Sequence, residues 1–170
     1  MDRGAYDATV VTRSGPDGRW ILLAYRMPRE PSTPRIAVWR RLKRLGVAHI
    51  LDGLVALPFD ARNKEQLEWM ADQVADAGGE ATIWIGAPAT RADEAALVGS
   101  LREAIGTEYR ALTAEALGAR DAEPVLRRRS LGRLRRELRR IRLRDYFPPP
   151  EAEEARRALD ELGTLVEVPG

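Results

Sequence analysis

Ten arginines fall within eighteen positions of this chain: Arg127, Arg128, Arg129, Arg133, Arg135, Arg136, Arg139, Arg140, Arg142 and Arg144, with Glu137 the one acid among them. That segment carries +9 and the whole 170-residue chain only +2, so the remainder sums to −7. Guanidinium groups at this density neutralise phosphates and release their counterions, and they present paired donors to phosphate oxygens or guanine edges. Leu131, Leu134, Leu138 and Ile141 recur three, four and three residues apart, the spacing of one helical face. The segment is therefore an amphipathic basic helix, about 30 Å long. Its partner is either external, a nucleic acid such as DNA, or internal. The flanking helical segments carry Asp93, Glu94, Glu103, Glu108 and Glu115 on one side and Glu151, Glu153, Glu154, Asp160 and Glu161 on the other. A three-helix packing would pair many of these with the arginines and make the region a protein-interaction or structural module. The two uses coexist if some arginines pair and others stay free. No aromatic residue interrupts the run, which argues against a stacking platform for single strands.

A second cluster, Arg35, Arg40, Arg41, Lys43 and Arg44, decorates an earlier helix. It reads as a solvated face, as a second basic surface, or as an oxyanion site that Arg26 and Arg29 would join. Other chemistry is sparse. There is no cysteine, and His49 is the only histidine, so a metal site built from those ligands is excluded. His49, at the head of a strand among apolar residues, reads as structural or partly exposed. No Ser-His-Asp set can be assembled. Gly78-Gly79 follows a helix rather than a strand, so it is not a phosphate loop. Glu65 and Glu68, or Glu151, Glu153 and Glu154, are explained by helix solubility. The expectation is a non-enzymatic protein with no cofactor and no metal. No run approaches the ~18 apolar residues of a membrane span, and the first nineteen residues hold no apolar core of signal-peptide type. A cytoplasmic location with no membrane partner is the expectation.

The elements that position these residues begin after an arm over 1–18 that ends in turn-forming residues. A continuous apolar run over 20–27 reads as a central strand. Thr33 and Pro34 have the form of a helix start, with Val38, Trp39, Leu42 and Leu45 on the apolar side and Gly46 as the stop. Asp52-Gly53 between two short apolar runs signals a hairpin. Asn63 with Gln66 has the form of a capping box ahead of Leu67, Met70 and Val74. Residues 81–85 give a last strand. Trp39, Trp69 and Trp84 read as core or helix–sheet contacts, with Trp69 off its helix stripe. Strand, helix, strand, strand, helix, strand gives an α+β fold, a ferredoxin-like βαββαβ sheet domain over 19–88. A helical region over 92–168, a C-terminal bundle of about three helices, contains the basic one. Gly99 and Gly106 weaken its first helix, and Asp121 is the cap expected for the second. The sheet face away from its two helices needs cover, from a second subunit or from this bundle.

The stretch 20–58, with its apolar strand, the proline-rich loop, Val38-Trp39-Arg40, Leu42, Leu45-Gly46 and a strand pair ending in Leu57-Pro58, resembles the N-terminal domain of the ChrB chromate-resistance regulators. So does 141–159, with Arg142, Arg144-Asp145-Tyr146-Phe147, Pro150 and Ala152; the resemblance spans about 20–165. The strand–helix–strand part is also similar to the central module of PaaX-type repressors and, more distantly, to the nuclease Cas2. The resemblance implies a regulatory protein that works as a homodimer, with DNA as partner and an oxyanion such as chromate, or related stress, as signal. Three departures stand out. The second domain usual in those regulators is not in this sequence. Tyr25-Arg26-Met27-Pro28 stands where the nuclease has an aspartate, which argues against metal-dependent cleavage. No helix-turn-helix precedes residue 20.

Overall fold

A computed structural model describes residues 18–167; the arm expected over 1–18 lies outside them apart from Gly18. The elements are β1 (Trp20–Arg26), α1 (Ser32–Leu45), β2 (Ala48–Leu51), β3 (Leu54–Pro58), α2 (Ala61–Asp76), β4 (Glu80–Gly86), α3 (Arg91–Gly118), α4 (Pro124–Arg142) and α5 (Glu151–Glu167). The four strands form one sheet in the order β2-β3-β1-β4, antiparallel at every pairing. This is the ferredoxin-like arrangement followed by three helices.

Strand alternation divides the sheet into two faces. Ile21, Leu23, Val55 and Leu57 turn to α1 and α2, where they meet Val38, Leu42, Leu67, Met70 and Val74 in one buried core. The opposite face carries the cross-strand row Trp84, Leu22, Ala56 and Ala48. The N-terminal half of α3 covers part of it: Leu101 packs on Trp20, Ala48 and Ala56, with Leu97 and Val98 beside it. Trp84 stays 62% exposed. The bundle thus supplies cover for one part of the face. A separate core holds α3, α4 and α5 together, with Tyr109, Leu112, Leu134, Ile141, Ala155 and Leu162 at its centre.

Several local expectations are corrected. α1 begins at Ser32, directly after Pro31, and no side chain caps it. At α2 the cap is Asp60, whose carboxylate accepts from the Asn63 backbone N–H at 2.6 Å; Asn63 is inside the first turn and buried. α3 runs unbroken through Gly99 and Gly106, and Glu123, not Asp121, precedes α4, with Pro124 in its first turn. Trp39 and Trp84 are largely exposed rather than core, and Trp69 is off its stripe and partly exposed. The Asp52-Gly53 hairpin forms. Gly53 has φ +78, and a Cβ there would lie 2.3 Å from the Tyr25 carbonyl oxygen, so the turn tucked against β1 admits only glycine.

Candidate nucleic-acid interface

The apolar stripe of α4 is buried as its spacing requires: Leu131, Leu134, Leu138 and Ile141 all enter the helical core. The arginines divide into two sets. Arg133 pairs with Glu115 of α3, Arg140 with Glu137 one turn back, and Arg144, just past the helix, with Glu108. Arg127 donates to the carbonyls of Ala122 and Leu165. Arg128, Arg129, Arg135, Arg136, Arg139 and Arg142 form no ion pair or side-chain hydrogen bond with a described residue. All six are exposed. Arg128, Arg135, Arg139 and Arg142 are seven, four and three residues apart and so share one face, with Arg129 and Arg136 on the neighbouring outward one.

Half of the acids named on the flanking helices are engaged by other arginines. Glu103 and Glu151 both bind Arg110, Glu153 and Asp160 bind Arg156, and Glu161 binds Arg120. The charge of Arg142 reaches α5 only through space, where it assists Arg156 in holding the Glu153 carboxylate below its ordinary range. Arg135 lays its guanidinium against Gly163 of α5, 3.0 Å from where a Cβ would stand. Arginines outside the basic segment therefore absorb half of the acidity that could have neutralised it.

Residues 144–147, Arg-Asp-Tyr-Phe, form the joint between bundle and sheet domain: Arg144, Tyr146 and Phe147 reach across it, and Asp145 fastens the segment to α3. Arg144 grips Glu108 of α3 through both guanidinium ends, at 2.7 and 2.5 Å, and its stem lies across Gly46 at the end of α1. Asp145 accepts from the Tyr109 hydroxyl at 2.8 Å. Tyr146 donates to Asn63 Oδ1 at 2.9 Å. Phe147 stacks on Trp20 at 6.1 Å between ring centroids. The Asn63 amide in turn donates to the Pro58 carbonyl at 2.8 Å, so its buried side chain is satisfied at both ends. Arg62 adds a bond to the Leu143 carbonyl at 3.1 Å.

Beside this clasp lies an open cleft of about 1320 Å³ between α1, β2 and α2 on one side and α3 and the end of α4 on the other. Arg40, Lys43, Arg44, Arg62, Arg140 and Arg144 line it, against two carboxylates, Glu108 and Glu137. The two basic clusters of the sequence thus meet across one cavity. Not all of the α1 cluster takes part: Arg41 lies 3.3 Å over the Trp69 ring, and Arg35 borders a smaller hollow with Ile36 and Trp39. Arg26 is paired with Glu80. His49 is exposed at the cleft wall. Sequence reasoning missed Asn63 and Tyr109 as partners of the 144–147 motif, whereas Glu108 is one of the flanking acids expected to pair with the arginines. Among the described residues no group of three or more His, Asp or Glu is placed to hold a metal, and no helix is long and apolar enough to cross a membrane.

Fold and site together define an α+β protein: a ferredoxin-like sheet clasped to a three-helix bundle whose middle helix is basic. The family model described as protein ChrB, N-terminal, matches residues 35–123, just over half of the chain, and the chain belongs to that family. It is similar to protein ChrB of Cupriavidus metallidurans, with 32% identity over 72 residues, 42% of this chain and 22% of that protein. The match thus spans about a fifth of that relative's length. The family match runs from α1 through α3 and ends before the α4 arginines.

Proposed function

We propose that this chain is a DNA-binding regulatory protein in which α4 lies along duplex DNA and its outward arginines contact phosphates. The observation that carries this reading is the set of six exposed arginines, Arg128, Arg129, Arg135, Arg136, Arg139 and Arg142, that no described carboxylate neutralises. Held on a helix about 28 Å long, they match the reach of several successive phosphates. The regulatory role is supported by membership of the ChrB N-terminal family, whose resemblance implies chromate or related stress as the signal and a homodimer as the working unit. In this reading the Arg40, Lys43 and Arg44 wall of the cleft is where an oxyanion signal acts.

The test is titration of labelled duplex DNA at several salt concentrations, with log K expected to fall at about 0.9 per phosphate contacted. Charge reversal at Arg135, Arg139 and Arg142 should abolish binding with the circular dichroism spectrum unchanged. No binding at low salt, or a flat salt dependence, overturns the DNA reading and leaves the basic helix to a protein partner. Sedimentation at several concentrations tests the dimer.

A further inference from the structure

The cleft is large for the small oxyanion just invoked. Its volume of about 1320 Å³ exceeds even the ~300–1,000 Å³ of pockets that hold drug-sized ligands. Its charge is also unevenly distributed. Glu108 and Glu137 are each already bound to an arginine, and Arg62 is committed to the Leu143 carbonyl. The uncommitted charge is on α1, at Arg40 and Arg44, with Lys43 held 5.2 Å over the Trp39 ring. Between these cations and α3 the lining is apolar, built from Leu45, Val47, Leu101 and Ile105. At the rim Trp39 is 49% exposed, an indole that no packing requirement keeps in solvent.

A bare tetrahedral anion uses the cations and leaves the apolar lining and the indole wet. A ligand with both a polyphosphate and a planar ring uses all three. Its phosphates meet Arg40, Lys43 and Arg44 through charge-assisted bonds, and its ring stacks on Trp39 with its edge toward the apolar lining. We propose that this cleft is a binding site for a nucleotide-class ligand, an organic polyanion carrying an aromatic ring. The proposal goes beyond the DNA reading and does not depend on it, because the α4 arginines that reading uses are not those that hold the ligand.

The experiment is equilibrium binding by the full chain in metal-free buffer, read by tryptophan fluorescence and calorimetry, with ATP, tripolyphosphate, adenosine, inorganic phosphate and chromate as probes. ATP should bind at least tenfold more tightly than tripolyphosphate and than adenosine. The pair Arg40→Gln with Arg44→Gln, both exposed and unpaired, should weaken ATP at least tenfold while thermal stability is unchanged. Trp39→Ala should bring ATP down to the level of tripolyphosphate. Arg135→Gln with Arg139→Gln should leave ATP binding intact while weakening DNA. ATP binding no better than tripolyphosphate or chromate overturns the nucleotide assignment, and the oxyanion reading then stands alone. An equal loss of ATP from the α4 pair overturns it too, because the ligand is then only screening the basic helix.

Discussion

Tyr146 donates its hydroxyl to Asn63 Oδ1 at 2.9 Å, tying the end of the basic helix's tail to the first turn of α2. The same Asn63 amide reaches the carbonyl of Pro58 at the end of β3. One buried side chain therefore joins sheet, helix and bundle. The orientation of the α4 arginines relative to the α1 cations depends on this contact and on the Arg144 grip beside it.

Removing one partner of that bond should cost stability through the groups left behind. Asn63→Leu strands the Pro58 carbonyl and the Tyr146 hydroxyl, and a loss of about 1–3 kcal/mol is expected for each buried group without a partner. Tyr146→Phe strands one group, Asn63 Oδ1, and should cost about 1–3 kcal/mol. Urea denaturation of the two variants measures both. A larger loss for Tyr146→Phe than for Asn63→Leu would contradict the arrangement.

Arg144 and Glu108 form a two-point ion pair in which the arginine side chain is 21% and the carboxylate side chain 37% exposed. Partial exposure keeps such a pair modest, and bidentate geometry raises it. A double-mutant cycle with Arg144→Ala and Glu108→Ala should give a coupling of about 1 kcal/mol. Arg144→Lys should recover little of it, because a single ammonium cannot reproduce the fork. A coupling near zero would show that Arg144 acts through its stem on Gly46 alone.

Much of this was legible in the chain. The α4 stripe at Leu131, Leu134, Leu138 and Ile141 was read from spacing because a single helix face is a local property. The strand order followed from alternating element types. Trp39 and Trp84 are exposed although their hydrophobicity predicts burial, because burial depends on what the sheet and α1 are packed against. The spacing of Asn63 to Gln66 fits a capping box, whereas the Asn63 side chain bonds Tyr146, 83 positions away. The division of the α4 arginines into paired and unpaired depended on Arg110, Arg120 and Arg156 reaching the acids first. That is a matter of tertiary geometry, and no local pattern encodes it.

The clasp also predicts an alkaline instability. Burial, then the bond to Asp145, pushes the Tyr109 hydroxyl well above its ordinary value of 10.0. Burial raises Tyr146 too. A folded-state value above the unfolded one means the folded protein holds protons that the unfolded chain has lost once the pH passes about 10. This contribution to stability is complete below that pH and is lost as the pH rises through the folded-state values. Unfolding free energy should therefore fall above pH 10, and Tyr109→Phe should flatten that fall. Tyr25, also raised by burial, leaves a residual slope. An equally steep fall in Tyr109→Phe would remove Tyr109 from the account.

The two sets of arginines on α4 give the sharpest comparison. Arg139 is exposed and unpaired, whereas Arg133 on the same helix is bound to Glu115. If α4 contacts phosphates, Arg139→Gln should remove about one contact and lower the salt slope of DNA binding by about 0.9. Arg133→Gln should barely change that slope, because its charge is already matched inside the protein. Glu115→Gln should act in the opposite direction: it frees Arg133, so affinity should rise and the slope should steepen by up to the same amount. Neither Arg139→Gln nor Glu115→Gln should shift thermal stability by much, since exposed pairs contribute about 0–1 kcal/mol. Salt titrations of these three variants over one duplex decide the matter. Equal losses from Arg133→Gln and Arg139→Gln would mean that binding senses only total charge. An unchanged slope in Arg139→Gln would take α4 out of the interface.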